Sequence, residues 1–116
     1  MGGGADEPLK CALRGTPMIT RIRVTGIRPG TLAEFKEVAR DWKNLLESHG
    51  GRVLGFYFDE TENKVTGIAE YESRERLAEI QRKCEAEPAY VDIQSRGRRI
   101  ATSFEESILE KLEIDP

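Results

Sequence analysis

Met18-Ile19-Thr20-Arg21-Ile22-Arg23-Val24-Thr25-Gly26-Ile27, followed by Arg28-Pro29-Gly30-Thr31-Leu32-Ala33-Glu34-Phe35, reads as a strand, a tight turn and the start of a helix. Pro29 presets one dihedral of the turn, and Gly30 is free to take positive φ. Thr31 and Glu34 have the S/T-x-x-E spacing of a capping box, in which each side chain satisfies an exposed amide of the first helical turn. The strand alternates. Met18, Ile22 and Val24 fall on one face, and Ile19, Arg21, Arg23 and Ile27 on the other.

Downstream, Leu32, Phe35, Val38, Ala39, Trp42, Leu45 and Leu46 recur at three- and four-residue steps, the stripe of a helix with one buried side that extends to about Ser48. Gly50-Gly51 closes it. Val53-Leu54-Gly55-Phe56-Tyr57-Phe58 and Val65–Tyr71 form a hairpin around the polar loop Asp59–Lys64. Ser73 caps a second helix with Glu75 in its first turn and Leu77, Ile80 and Cys84 on its apolar side. Pro88 closes or kinks that helix, and a short helical piece follows through Tyr90, Val91 and Ile93. The last segment carries two signals. Ser103 and Glu106 make another capping box, but Ile100, Thr102, Phe104, Ile108 and Leu112 alternate, and a strand from about Arg98 past Phe104 is expected.

The order β-α-β-β-α-β is that of an α+β, ferredoxin-like fold, a four-stranded antiparallel sheet with two helices on one face. The other face then needs covering, because the Val53–Phe58 strand points apolar side chains both ways. An exposed patch of that kind is an association site, so a symmetric homodimer through the sheet face is expected.

Composition bounds the rest. The chain has 116 residues, 38% hydrophobic and 34% charged, with a net charge of −3, which suits one globular domain and argues against a protein built around nucleic-acid phosphates. No apolar run approaches the roughly 20 residues of a membrane span. Residues 1–17 lack periodicity and read as a flexible leader without a secretion signal, leaving 18–116 as the folded domain. Cys11 and Cys84 make neither a disulfide framework nor a metal spacing, and a reducing, cytoplasmic setting fits them.

Several strings resemble those of NIPSNAP-type proteins. Ile22-Arg23-Val24 through Arg28-Pro29-Gly30 and Ala33-Glu34-Phe35 is similar to the opening strand and Pro-Gly turn of that family. His49-Gly50-Gly51-Arg52-Val53-Leu54-Gly55-Phe56 resembles its helix end and following x-Leu-Gly-Tyr/Phe strand. Ala69-Glu70-Tyr71-Glu72-Ser73 resembles the third strand entering the second helix, Glu87-Pro88-Ala89-Tyr90 the acidic-Pro-x-aromatic step, and Ser107-Ile108-Leu109 the last strand. The resemblance spans about Met18 to Ile114 and implies a dimeric α+β barrel, in which two ferredoxin-like units pair their sheets. That superfamily includes cofactor-free monooxygenases, haem-degrading enzymes, isomerases and proteins with no assigned reaction. The haem-degrading members use a histidine on the second helix, and Leu77–Glu87 contains none.

His49 is the only histidine, suited to proton transfer near neutral pH, and with Tyr57 makes a candidate catalytic pair. It also ends the first helix, where a cation complements the dipole. Trp42, Tyr71 and Arg23 are candidate pocket-lining residues, with core or interface aromatics as the other reading. Arg21, Arg23 and Glu70 lie on central strands, where they either grip an anionic substrate or form structural ion pairs. Asp59, Glu60 and Glu62 lack the pattern of a calcium loop, and Arg96, Arg98 and Arg99 either bind a phosphate or, by default, form a solvated turn between elements. No phosphate loop, nucleophile elbow or Cys/His metal cluster is present, so no cofactor and no metal are expected. The leading expectation is a protein that binds a small hydrophobic or aromatic molecule between sheet and helices. A cofactor-independent monooxygenase and a non-catalytic interaction module are the alternatives.

Overall fold

The computed structural model of the chain describes residues 17–114. The expected leader over 1–17, except Pro17, and Cys11 lie outside the described residues. Strand β1 (Ile19–Ile27) leads to helix α1 (Leu32–Ser48), the hairpin strands β2 (Arg52–Asp59) and β3 (Lys64–Tyr71), helices α2 (Arg74–Glu85) and α3 (Pro88–Ile100), and strand β4 (Ala101–Glu110). The strands form one sheet in the order β2-β3-β1-β4, and β1 pairs antiparallel with both β3 and β4. This is the expected ferredoxin-like α+β architecture.

The turn between β1 and α1 forms as its residues dictate. The Thr31 amide donates to the Arg28 carbonyl at 3.2 Å, and Gly30 takes φ +80°, the position of a type II turn that needs glycine. The capping box does not form. Thr31 sits at φ −107°, ψ 11°, and its hydroxyl donates back to the Arg28 carbonyl at 2.6 Å, so it accepts no helical amide. Ser73 does cap its helix: its backbone is extended, and its Oγ accepts from the Arg76 amide at 3.0 Å. At the end of α1, Gly50 takes φ +106°. Gly51 donates to the Leu46 carbonyl and Gly50 to that of Glu47, a Schellman closure.

Three sequence expectations are corrected at the C-terminal end. Pro88 does not merely close α2. It occupies the first position of α3, where its missing amide costs nothing, and α3 runs for 13 residues. Arg96, Arg98 and Arg99 therefore lie on a helix, not on a solvated turn. Arg96 clasps Asp41 of α1 at 2.6 Å and Asp92 of its own helix at 3.0 Å. The last strand begins at Ala101, and a register shift beside Ile27 leaves Thr102 outside the pairing, so Ile100 is a buried helical residue. Strand still prevails over helix for 103–110, because β1 offers that segment a full antiparallel ladder.

All three helices cover one face of the sheet, with Leu46, Ile80 and Cys84 fully buried between them and the strands. Burial of each such aliphatic side chain contributes about 1.5–3 kcal/mol. Register assigns the faces. Arg21, Arg23 and Thr25 of β1 pair with Ala69, Gly67 and Val65 on the helix side, and Ile22 and Val24 point away. In β2 a register shift after Val53 places Phe56 and Phe58 on the helix side, opposite Gly67 and Val65. Tyr57, opposite Thr66, lies on the uncovered face and is 58% exposed.

Candidate functional site

Between sheet and helices lies a cavity of about 510 Å³, within the range of small-molecule sites. Helix α1 supplies one wall with Phe35, Val38, Ala39 and Trp42, residues of the stripe that defines the helix in the sequence. Helix α3 supplies Ile93, Gln94, Gly97 and Arg98. The floor is strand: Arg21 and Arg23 from β1, Phe56 from β2, Gly67 from β3, Phe104 and Glu106 from β4. Gly67 leaves room for the Phe56 ring, since a Cβ there would lie only 2.9 Å from it. A second hollow of about 420 Å³ continues past Phe35 and Phe56 to the β2 edge, where Tyr57 borders it.

The charged groups of the floor are organised around one indole. The Arg23 guanidinium carbon lies 4.8 Å from the Trp42 ring centre and that of Arg21 5.9 Å, both cation–π distances. Arg23 Nε donates to Glu106 Oε2 at 2.8 Å, directly across the β1–β4 ladder, where the two are register partners. Arg21 is only 4% exposed. It donates to Gln81 Oε1 of α2 at 3.0 Å and to the Tyr71 hydroxyl. Burial, helped by the Arg23 charge, holds Arg21 below the usual arginine value, and burial pushes the Tyr71 hydroxyl above the usual tyrosine range. The Trp42 and Tyr90 rings lie 6.5 Å apart, and Gln94 Nε2 donates to the Tyr90 hydroxyl at 2.6 Å.

Of the residues proposed from sequence, the fold brings Trp42 and Arg23 into the cavity wall and places Tyr71 behind it through Arg21. It does not bring His49 and Tyr57 together. His49 ends α1 outside the cavity lining, with Nε2 2.9 Å from Glu87 Oε2, while Tyr57 lies on β2 with its neighbour Gly55 on the uncovered face. Glu106 and Phe104 also line the cavity but do not stand out in the sequence as site residues, and Arg98 stands out there only as a possible phosphate ligand. The only signal for Glu106 is cross-strand register with Arg23, which no local pattern reveals. Cys84 is buried and its thiol is pushed up by burial, as suits a packing residue. Among the described residues, no group of three or more His, Cys, Asp or Glu could hold a metal, and no helix is long and apolar enough to cross a membrane.

A four-stranded antiparallel sheet with helices on one face defines an α+β protein of ferredoxin-like fold, with a ligand-sized cavity between the two layers. The NIPSNAP family model matches residues 20–116, and the chain belongs to that family. Among solved structures, a NIPSNAP family protein of unknown function from Agrobacterium tumefaciens is 21% identical, with a TM-score of 0.74 over 87% of this chain and 94% of its own. A NIPSNAP-like domain protein from Burkholderia xenovorans is also 21% identical, with a TM-score of 0.74 over 87% of this chain and 90% of its own. SnoaB, a cofactor-independent oxygenase from Streptomyces nogalater, is 17% identical, with a TM-score of 0.65 over 86% of this chain and 98% of its own. Comparison with curated proteins found no match.

Proposed function

We propose that this NIPSNAP protein binds a small hydrophobic or aromatic molecule in the cavity beneath Trp42, acting as a cytoplasmic homodimer. The observation that carries the reading is the cavity itself, about 510 Å³ with mostly apolar walls and a few polar groups converging on its floor. An interaction-only module would be expected to fill this space with side chains. The homodimer is supported by the uncovered sheet face, which carries Ile22, Val24 and Ile68 at its centre and exposed Tyr57 and Leu109 around them. The buried free thiol of Cys84 suits a reducing compartment.

The test uses phenylnaphthylamine, a neutral aromatic dye whose emission rises in apolar surroundings. Wild-type protein is expected to bind it saturably, and Gly97→Leu is expected to abolish binding while the circular dichroism spectrum stays native. Gly97 lines the cavity, and a Cβ there has only Val38 within contact distance, so a leucine side chain has room to start toward the cavity. Saturable binding that survives Gly97→Leu would place the dye elsewhere and remove the cavity as the site.

A second reading, cofactor-independent oxygenation of the bound molecule, is favoured by the fold likeness to SnoaB. Oxygen uptake with phenols or quinols that displace the dye separates enzyme from binder. Uptake that Gly97→Leu abolishes supports catalysis in this cavity, and none with any displacing compound removes it.

A further inference from the structure

Resting on that binding reading, the charge of the cavity defines the class of molecule it takes. Three arginines, Arg21, Arg23 and Arg98, line it against one carboxylate, Glu106. Glu106 is committed to Arg23. Arg21 is buried, and both its acceptors are neutral, the Gln81 amide and the Tyr71 hydroxyl. Burial keeps that hydroxyl protonated, so it brings no countercharge. Arg98 forms no ion pair among the described residues. A buried guanidinium is costly unless an anion compensates it, and stacking on Trp42 and Tyr71 offsets only part of that cost.

We propose that the cavity takes an amphipathic organic anion, with a carboxylate, sulfonate or enolate oxygen at Arg23 and Arg98 above the buried Arg21, and an apolar body against Phe35, Trp42 and Ile93. The guanidinium fork suits the paired oxygens of a carboxylate or sulfonate, and an enolate oxygen takes a single N–H of it. The apolar walls exclude water and strengthen the attraction, while Glu106 competes with the ligand for Arg23. An inorganic anion alone would leave the walls unfilled.

Paired dyes test this. Anilinonaphthalene sulfonate and phenylnaphthylamine share their aromatic body and differ in one sulfonate. Wild-type protein is expected to bind the sulfonate dye about tenfold or more tightly than the neutral one, and the double variant Arg23→Gln/Arg98→Gln to lose that preference, the sulfonate dye weakening far more than the neutral one. Equal affinities in the wild type, or a preference unmoved in the double variant, would overturn the anion assignment and leave the apolar cavity standing. Failure of both dyes to bind would sink the cavity reading and this proposal with it. Glu106→Gln is a second variant, independent of the folding of the first. It removes the competing acid and is expected to tighten the sulfonate dye by about threefold. Unchanged or weaker binding there overturns the proposal.

Discussion

Arg21 donates a hydrogen bond from Nη2 to the Tyr71 hydroxyl, tying β1 to β3 beneath the Trp42 ring, with both partners almost wholly buried. Hydrogen bonds to charged groups contribute more than neutral ones, and a buried cation that loses its acceptor keeps its desolvation penalty. Tyr71→Phe is therefore expected to lower the unfolding free energy by about 1.5–3 kcal/mol. Urea denaturation followed by circular dichroism measures it. A loss below about 0.5 kcal/mol would mean that Arg21 does not depend on this acceptor.

Gly97 sits in the middle of α3 with room for a methyl group, the nearest atom to a Cβ being Val38 Cγ1 at 3.9 Å. Glycine inside a helix costs conformational entropy that alanine does not, so Gly97→Ala should stabilise the protein by about 0.5–1 kcal/mol. Loss of stability in the same denaturation experiment would contradict the space assigned to this wall.

Glu47 connects α1 to β2. Its Oε2 accepts from the Val53 amide at 3.1 Å, and its Oε1 lies 3.2 Å from Lys43 Nζ. The Val53 amide, with help from Lys43, holds the carboxyl below its ordinary value of 4.5. A depressed carboxylate contributes stability that is fully present above the unfolded value and lost as pH falls through the folded one. Acidification from neutral pH through the carboxylate range should destabilise the wild type more steeply than Glu47→Gln. Parallel acid limbs in the two proteins would remove Glu47 from the pH response.

Ile22 lies on β1 on the sheet face away from the helices, opposite Ile68 and Ser107. If two sheets pack there, a lysine at the centre would bury an unpaired charge at the interface. Size exclusion with light scattering should give twice the 13.1 kDa chain mass for the wild type and the chain mass itself for Ile22→Lys. A wild-type monomer at micromolar concentration would contradict the dimer.

The elements whose residues act locally were legible in the sequence, and those that depend on distant partners were not. The stripe from Leu32 to Leu46, the Pro29-Gly30 turn, the Ser73 cap and the Gly50-Gly51 stop each work within a few residues, and each formed as read. Thr31 failed as a cap because the turn before it offered its hydroxyl a nearer acceptor at Arg28. Helix α3 was underestimated because Pro88 can end one helix or open another, and only the docking of Ile93 and Ile100 into the core distinguishes them. Trp42 and Arg23, candidates from residue type and placement, lie in the cavity wall. The place of Glu106 and Arg98 beside them was not legible, since it depends on β4 register and on the full length of α3.

The cavity as binding site is tested most directly by amide chemical shifts of the isotope-labelled protein titrated with naphthol, a small neutral aromatic. The expected shifts concentrate at Ala39, Gly67 and Gly97, which line the cavity from α1, β3 and α3. Gly55 and Thr66, on the far side of the sheet by register, should remain unmoved. Shifts confined to Gly55, Thr66 and their neighbours, with Gly97 silent at saturation, would contradict the cavity as the place where this protein meets its ligand.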